Sequence, residues 1–328
     1  MHLCYNEKEY SDGGTTMNTA TYVNRICENL SRVVYGAETT KRLAVCAMLA
    51  GGHILIDDVP GTGKTELAKA LAVSVGADFK RIQFTPDLLP SDVSGINYFN
   101  AKENDFVLRR GPIFANIVLA DEINRATPRT QAALLESMEE RQVTIDGATL
   151  PLSSPFLVIA TMNPMEYQGT FPLPEAQIER FLMRLPMRYP ELSDELRIVE
   201  KALGGTGVSD LSAVVTEEDR LAVLKEIEGV FLSEEVRSYI VRLVRATRES
   251  EKIRHGVSPR GIVALARAAR VYAAAEGRAY VLPDDVKALA VPVLAHRLIP
   301  NAQSTLRITG SAEELVEYLL GKVPAPVV

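Results

Sequence analysis

The stretch His53-Ile54-Leu55-Ile56-Asp57, running into Asp58-Val59-Pro60-Gly61-Thr62-Gly63-Lys64-Thr65, constrains this chain more than any other. An apolar run of strand length enters a glycine-rich turn, and an amphipathic helical pattern follows from Glu66 to Val75. Strand, loop and helix in that order form a compact phosphate-cradling unit. Gly61 and Gly63 allow backbone N–H groups to turn inward, Lys64 can reach β and γ oxygens of a nucleotide, and the Thr65 hydroxyl can ligate Mg2+. Pro60, Thr62 and Glu66 complete the same loop and first turn. The positive end of the following helix favours the same anion. Asp58 departs from the pattern, because a glycine normally stands there. A plain glycine-rich turn before a helix is the alternative reading.

Further apolar strand candidates are Phe79 to Phe84, Ile117 to Ala120 and Phe156 to Thr161, with a helical stretch from Arg129 to Glu140. Such alternation predicts an α/β fold, a parallel sheet wrapped by helices in three layers. Two segments interrupt it as inserted β-hairpins. Ile96 to Asn100 and Asp105 to Arg109 flank a polar turn, while Gln142 to Ile145 and Ala148 to Leu152 flank Asp146-Gly147. Hairpins that project from such a core touch partners; the plain alternative is that they only extend the sheet. Upstream, helical patterns from Ala20 to Val34 and on to Ala50 are separated by Val34-Tyr35-Gly36. Beyond Pro190 strand signals nearly vanish, and six helical patterns predict an all-α second domain. The expected division is a polar, flexible arm over 1–19, an α/β core over 20–190 and a helical lid over 191–328.

Composition bears on partners. A net charge of -6 over 328 residues argues against a protein whose main task is neutralising nucleic-acid phosphates. The longest apolar stretch, Leu43 to Ile56, is broken by Gly51, Gly52 and His53, so no membrane span is expected. No secretory signal is visible, and a cytoplasmic location is the expectation. Cys4, Cys27 and Cys46 lack metal spacing, and Cys46 fits a buried helical position. The four histidines are scattered, so a structural metal is not expected.

The strand pattern Ile117-Val118-Leu119-Ala120 ends in Asp121 and Glu122. Downstream of a phosphate loop, Asp121 is placed to hold the Mg2+ shell and Glu122 to orient or deprotonate the attacking water. Asn163 follows the next apolar strand, where a polar group could meet the γ-phosphate; its plain reading is a turn residue before Pro164. Arg180 in Glu179-Arg180-Phe181 and Arg260 in Ser258-Pro259-Arg260 read in isolation as solvated arginines.

The order of these motifs resembles the AAA+ ATPases and, within them, the MoxR family of the helix 2 insertion branch, related to magnesium chelatase motor subunits. The segments Gly111-Pro112-Ile113-Phe114, Leu119 to Ala126, Gln131 to Glu136, Met138-Glu139-Glu140, Gln142 to Gly147, Ala160 to Pro164, Leu173 to Gln177 and Arg180-Phe181 carry the resemblance. An Asp or Glu before Val-Pro-Gly is also familiar there. The resemblance implies ATP and Mg2+ as ligands, and a homo-oligomeric ring, usually a hexamer, with ATP held between subunits. Arg180 would act on a neighbour's ATP, Asn163 as a polar sensor, and Arg260 would close the lid on the phosphates. Val34, Tyr35 and Gly36 resemble the segment lining the adenine pocket, although a helix break explains them nearly as well. The implied role is a chaperone-like factor that remodels or activates client proteins, or assists cofactor or metal insertion. Family partners often carry von Willebrand factor A domains. A nucleic-acid motor and a nucleotide-gated assembly scaffold are the competing functions.

Overall fold

The computed structural model describes residues 17–57, 61–162, 170–204, 207–301 and 311–327. Two helices open the described part of the chain. Asn18 caps α1 (Thr19–Ser31) by accepting from the Thr21 N–H at 2.8 Å, and α2 (Glu38–Leu49) follows a left-handed turn at Gly36 and Ala37. Asn18 and Thr19, expected in the arm, therefore belong to an ordered helix start. Thr19 is buried, and its N–H and hydroxyl both donate to Glu226 at 2.7 Å.

The strand β1 (Ile54–Asp57) leads to α3 (Lys64–Ser74), then β2 (Phe79–Gln83), the short α4 (Pro90–Ser94) and the hairpin β3 (Gly95–Asn100) and β4 (Asp105–Arg110). Next come β5 (Ile117–Asp121), α5 (Pro128–Glu140), the hairpin β6 (Gln142–Ile145) and β7 (Ala148–Pro151), β8 (Leu157–Met162), the one-turn α6 (Glu175–Ile178) and β9 (Met183–Leu185). The sheet has the order β2-β5-β8-β1-β9, all parallel. β5 and β8 are buried on both faces, as parallel strands covered by helices must be. Both hairpins stand outside this sheet as two-stranded ribbons in the predicted register, so neither extends it. Gly95 and Gly111 pinch the base of the first ribbon, where a Cβ on Gly111 would lie 2.2 Å from the Val93 carbonyl oxygen.

The lid comprises α7 (Leu192–Ala202), α8 (Glu217–Glu228), α9 (Glu234–Glu249), α10 (Pro259–Ala275), α11 (Pro283–Leu294) and α12 (Ala312–Lys322). It is not purely helical, because β10 (Ile253–His255) pairs antiparallel with β11 (Ile299–Pro300). Nor is its core separate. One apolar cluster runs from α1 and α2 across one face of the sheet into α9, α10 and α11, and a second cluster fills the other face.

His53 fixes the start of β1. Its Nδ1 accepts from the Val158 N–H at 3.0 Å, so Nε2 carries the proton that it donates to the Met138 carbonyl at 3.0 Å. Burial, with Arg141 adding to it, pushes its pKa down to about 3 from an ordinary 6.5. Half-buried His296 moves in the same direction, through desolvation first and the neighbouring Arg297 second. Both stay neutral in the folded chain and bind protons on unfolding, so stability falls as pH drops below about 6.5. We expect His53 to contribute a slope of about 1.4 kcal/mol per pH unit between pH 6 and pH 4. Chemical denaturation across that range, wild type beside His53→Gln, checks this, the variant having the shallower slope.

Candidate active site

Polar side chains converge where the strands end. In a parallel sheet the carboxyl ends of the strands are where ligands bind, and here Gln83, Asp121 and Thr161 close β2, β5 and β8 at that edge. The Thr161 hydroxyl donates to Asp121 Oδ1 at 2.7 Å and accepts from the Glu122 N–H at 2.8 Å. That pair of bonds fixes Asp121 and turns the chain, so that Glu122 takes a left-handed backbone with φ of 55°. Arg81 holds the other oxygen of Asp121 through Nη2 at 2.5 Å, while Gln83 donates to Glu122 Oε2 at 2.9 Å. Arg125 pairs with the same Glu122 oxygen at 2.9 Å.

The phosphate loop faces these groups. Gly61, Thr62, Gly63, Lys64, Thr65 and Glu66 share a cavity of about 280 Å3 with Arg81, Gln83, Asp121 and Glu122. Gly61 and Gly63 have φ of 79° and 88°, and a Cβ on either would meet nothing within 4 Å. Their constraint is conformational, and side chains there are disfavoured by backbone strain. Lys64 opens α3, and burial lowers its pKa against an opposing pull from Asp121 and Glu122. Pro60 and Asn163 lie outside the described residues.

The expected adenine segment sits against the lid. Tyr35 lies under the Arg197 guanidinium at 4.5 Å, and a Cβ on Gly36 would stand 2.9 Å from Asp194 Oδ2. Val34 is buried, and its carbonyl accepts from Lys41 Nζ at 3.1 Å. Lys201 on α7 joins this region to the phosphate loop, with Nζ 2.9 Å from Glu66 Oε2 and 3.1 Å from the Val33 carbonyl. Sequence reasoning missed Arg81, Gln83 and Lys201. The first two were signalled by alternation in Phe79-Lys80-Arg81-Ile82-Gln83, since residues two apart share a face; nothing local marks Lys201.

Arg180 and Arg260 stand elsewhere. They line a cleft of about 510 Å3 with Gly51, Gly52, His53, Glu139, Arg141 and Leu182. Gly52, His53 and Leu182 immediately precede β1 and β9, so this cleft lies at the amino ends of the strands. Four-residue β1 separates it from the phosphate loop by roughly 13 Å at about 3.3 Å per residue, which is beyond the reach of either side chain. Arg260, expected to close the lid on the phosphates, is therefore away from the phosphate loop of its own chain. The lid instead packs its α10 start against the core at the opposite edge, where the Ser258 hydroxyl donates to Glu179 Oε2 at 2.9 Å.

A phosphate loop facing a strand-end acidic pair, on a β2-β5-β8-β1-β9 sheet beside a helical lid, is the arrangement of an AAA-type ATPase. The model of the ATPase family associated with various cellular activities matches residues 53–183, and an AAA lid domain matches 245–317. The chain is 38% identical to chaperone MoxR1 of Mycobacterium tuberculosis over 84% of its own length and 75% of the relative's. It is 31% identical to protein MoxR of Paracoccus denitrificans, over 90% and 94% of the two chains. An uncharacterized Bacillus subtilis protein, YeaC, is 47% identical over 93% and 95%. A crystal structure of an ATPase candidate from Cytophaga hutchinsonii superposes with a TM-score of 0.87 at 38% identity, covering 94% of this chain and 97% of that one. This chain belongs to the MoxR family of AAA+ ATPases.

Lys64→Ala removes the one cation that the loop itself carries. Loss of a charge-assisted contact of about 1.5–3 kcal/mol should weaken ATP binding roughly 10- to 100-fold, measured by titration with a fluorescent nucleotide.

Proposed function

We propose that the protein hydrolyses ATP in sites shared between copies of itself, arranged as a ring, and uses the cycle as a chaperone-like factor on client proteins. The observation that carries the reading is the division of charged groups between the two sheet edges. The carboxyl edge has the phosphate loop and both carboxylates, while the amino edge presents Arg180 and Arg260 to solvent. A second copy would bring its amino edge to this carboxyl edge and complete the site.

The residues at the carboxyl edge fit ATP with Mg2+: two positive-φ glycines, a loop lysine, the Thr65 hydroxyl and the Asp121 carboxylate share one cavity. Thr65 and Asp121 would hold the metal, which when bound screens and polarises the phosphate oxygens. Lys64 would bind the β and γ oxygens. Glu122 would take the proton of the attacking water, and Arg125 and Gln83, which both hold its Oε2, leave Oε1 for that water. Asn163 would help to place that water. Arg180 of a neighbouring copy would neutralise charge developing on the γ-phosphate.

Client contact is assigned to the first hairpin. Tyr98, Phe99 and Phe106 are more than two-fifths exposed there, and the Phe99 and Phe106 rings meet edge to face at 5.5 Å. A surface of this type is apolar and aromatic, as protein-binding patches are. The name of MoxR1 agrees with a chaperone role, and clients with von Willebrand factor A domains are the class we would test first. Among the described residues no helix is long and apolar enough to cross a membrane.

Complementation tests the shared site. Glu122→Gln should bind ATP normally and hydrolyse it roughly 10²- to 10⁴-fold more slowly. Arg180→Ala should also bind ATP and lose roughly a thousand-fold in turnover. Mixing the two should restore part of the wild-type rate, because some interfaces then pair an intact Glu122 with an intact Arg180. A fully active Arg180→Ala variant, or no recovery on mixing two assembled variants, would rule out the shared site.

A further inference from the structure

Among the described residues, Glu139 is the one side chain ion-paired with both Arg180 and Arg260. Its Oε2 lies 2.9 Å from Arg180 Nε, and its Oε1 accepts from Arg260 Nη2 at 2.7 Å. The three residues come from three places: Arg180 follows α6 in the core, Arg260 opens α10 in the lid, and Glu139 sits in the last turn of α5. Among the described residues neither guanidinium has a second acceptor. The other cleft arginines behave differently. Arg141 donates to the carbonyls of Gly51 and Phe156, Arg267 to that of Ala50, and Arg297 to those of Glu179, Phe181, Leu182 and Val293, so all three are committed to the backbone.

Two guanidiniums held side by side repel one another, and a carboxylate between them offsets that repulsion. Arg180 Nε is buried and lies within ion-pair distance of the carboxylate without hydrogen-bonding to it, and among the described residues both Nη groups also lack an acceptor; the Nη pair forms the fork that matches a phosphate. Arg260 keeps Nε and Nη1 in the same condition. The carboxylate therefore holds Arg260 by a hydrogen bond and Arg180 by charge, leaving most donors of both arginines uncommitted. A second tie runs in parallel, since the Ser258 hydroxyl that caps α10 also holds Glu179, the neighbour of Arg180 in sequence. Lid and core are joined at this point by side chains that flank the two arginines.

We propose that Glu139 is a positioning residue for ATP hydrolysis, its two carboxylate oxygens aligning Arg180 and Arg260 as one bidentate unit that a neighbouring copy's triphosphate meets. The proposal rests on the shared-site reading above and adds that the two arginines work as a coupled pair. Glutamine at 139 keeps the length of the side chain but has one acceptor oxygen, so it can hold one arginine and turns an N–H donor toward the other. Misalignment by about an ångström costs up to roughly 100-fold in such arrangements.

The experiment is a mutant cycle on the full chain, read as kcat and KM for ATP at concentrations where assembly, followed by light scattering, is complete. Glu139→Gln should lower kcat roughly 10- to 100-fold with KM for ATP within about two-fold. In an Arg180→Ala, Arg260→Ala background the same substitution should change the residual rate by less than about two-fold, because nothing remains to align. Glu139→Asp, which keeps the charge on a shorter arm, should recover part of the loss. An equal loss in both backgrounds would show that Glu139 acts through the fold of α5, and a wild-type kcat in Glu139→Gln would show that the contact is idle; either overturns the proposal while leaving the shared site standing. If Arg180→Ala and Arg260→Ala are themselves as active as wild type, the shared-site reading fails and this proposal fails with it.

Discussion

The hydroxyl of Thr161 organises the carboxyl edge of the sheet. It is buried, donates to Asp121 and accepts from the Glu122 N–H, so a single side chain on β8 sets both the position of one carboxylate and the turn that presents the other. Its two bonds also satisfy backbone and side-chain groups that would be costly to bury unpaired. Everything that faces the phosphate loop depends on β5 and β8 ending in step. Arg81 and Gln83 extend the same order to β2, one partner for each carboxylate.

The opposite edge is built by different means. There the donors are mostly arginines that hold backbone carbonyls at strand starts and helix ends, with His53 tying β1 to α5 and β8. The helix α5 spans the two edges: its first turn follows the acidic pair, where Gln131 donates to the carbonyls of Ile123, Ala126 and Phe171, and its last turn carries Glu139. Thirteen residues at 1.5 Å each make a strut of about 20 Å. A rigid element with the acidic pair near one end and an arginine-pairing carboxylate at the other ties the two edges of the sheet together.

Much of this was legible in the chain. Apolar strands that end in Asp57, Asp121 and Thr161, and a hairpin turning on Asp146-Gly147, are local patterns, and local chemistry fixes them. β9 was not, because three residues with Arg184 at their centre carry no alternation that distinguishes them from a loop. The β10 and β11 pair escaped notice for the same reason of length. The place of Arg260 was illegible on different grounds. Motif order gives its neighbours along the chain, whereas the edge of the sheet it meets is decided by how α10 and α11 pack on α2 and β9. Glu139 likewise reads as one more acid on a solvated helix end until the lid is seen to lean on it.

The burial of α1 has a consequence for how the protein is made. Thr19 is anchored by Glu226, 207 residues later, and the helix shares its apolar cluster with α10. A ribosome adding about 5–20 residues each second needs on the order of ten seconds or more to supply those partners after α1 has emerged. This helix, made well before its partners, is thus among the last to be fully covered. Its apolar face waits exposed while the sheet assembles, and early termination within the lid would leave behind a nascent chain with that face unshielded.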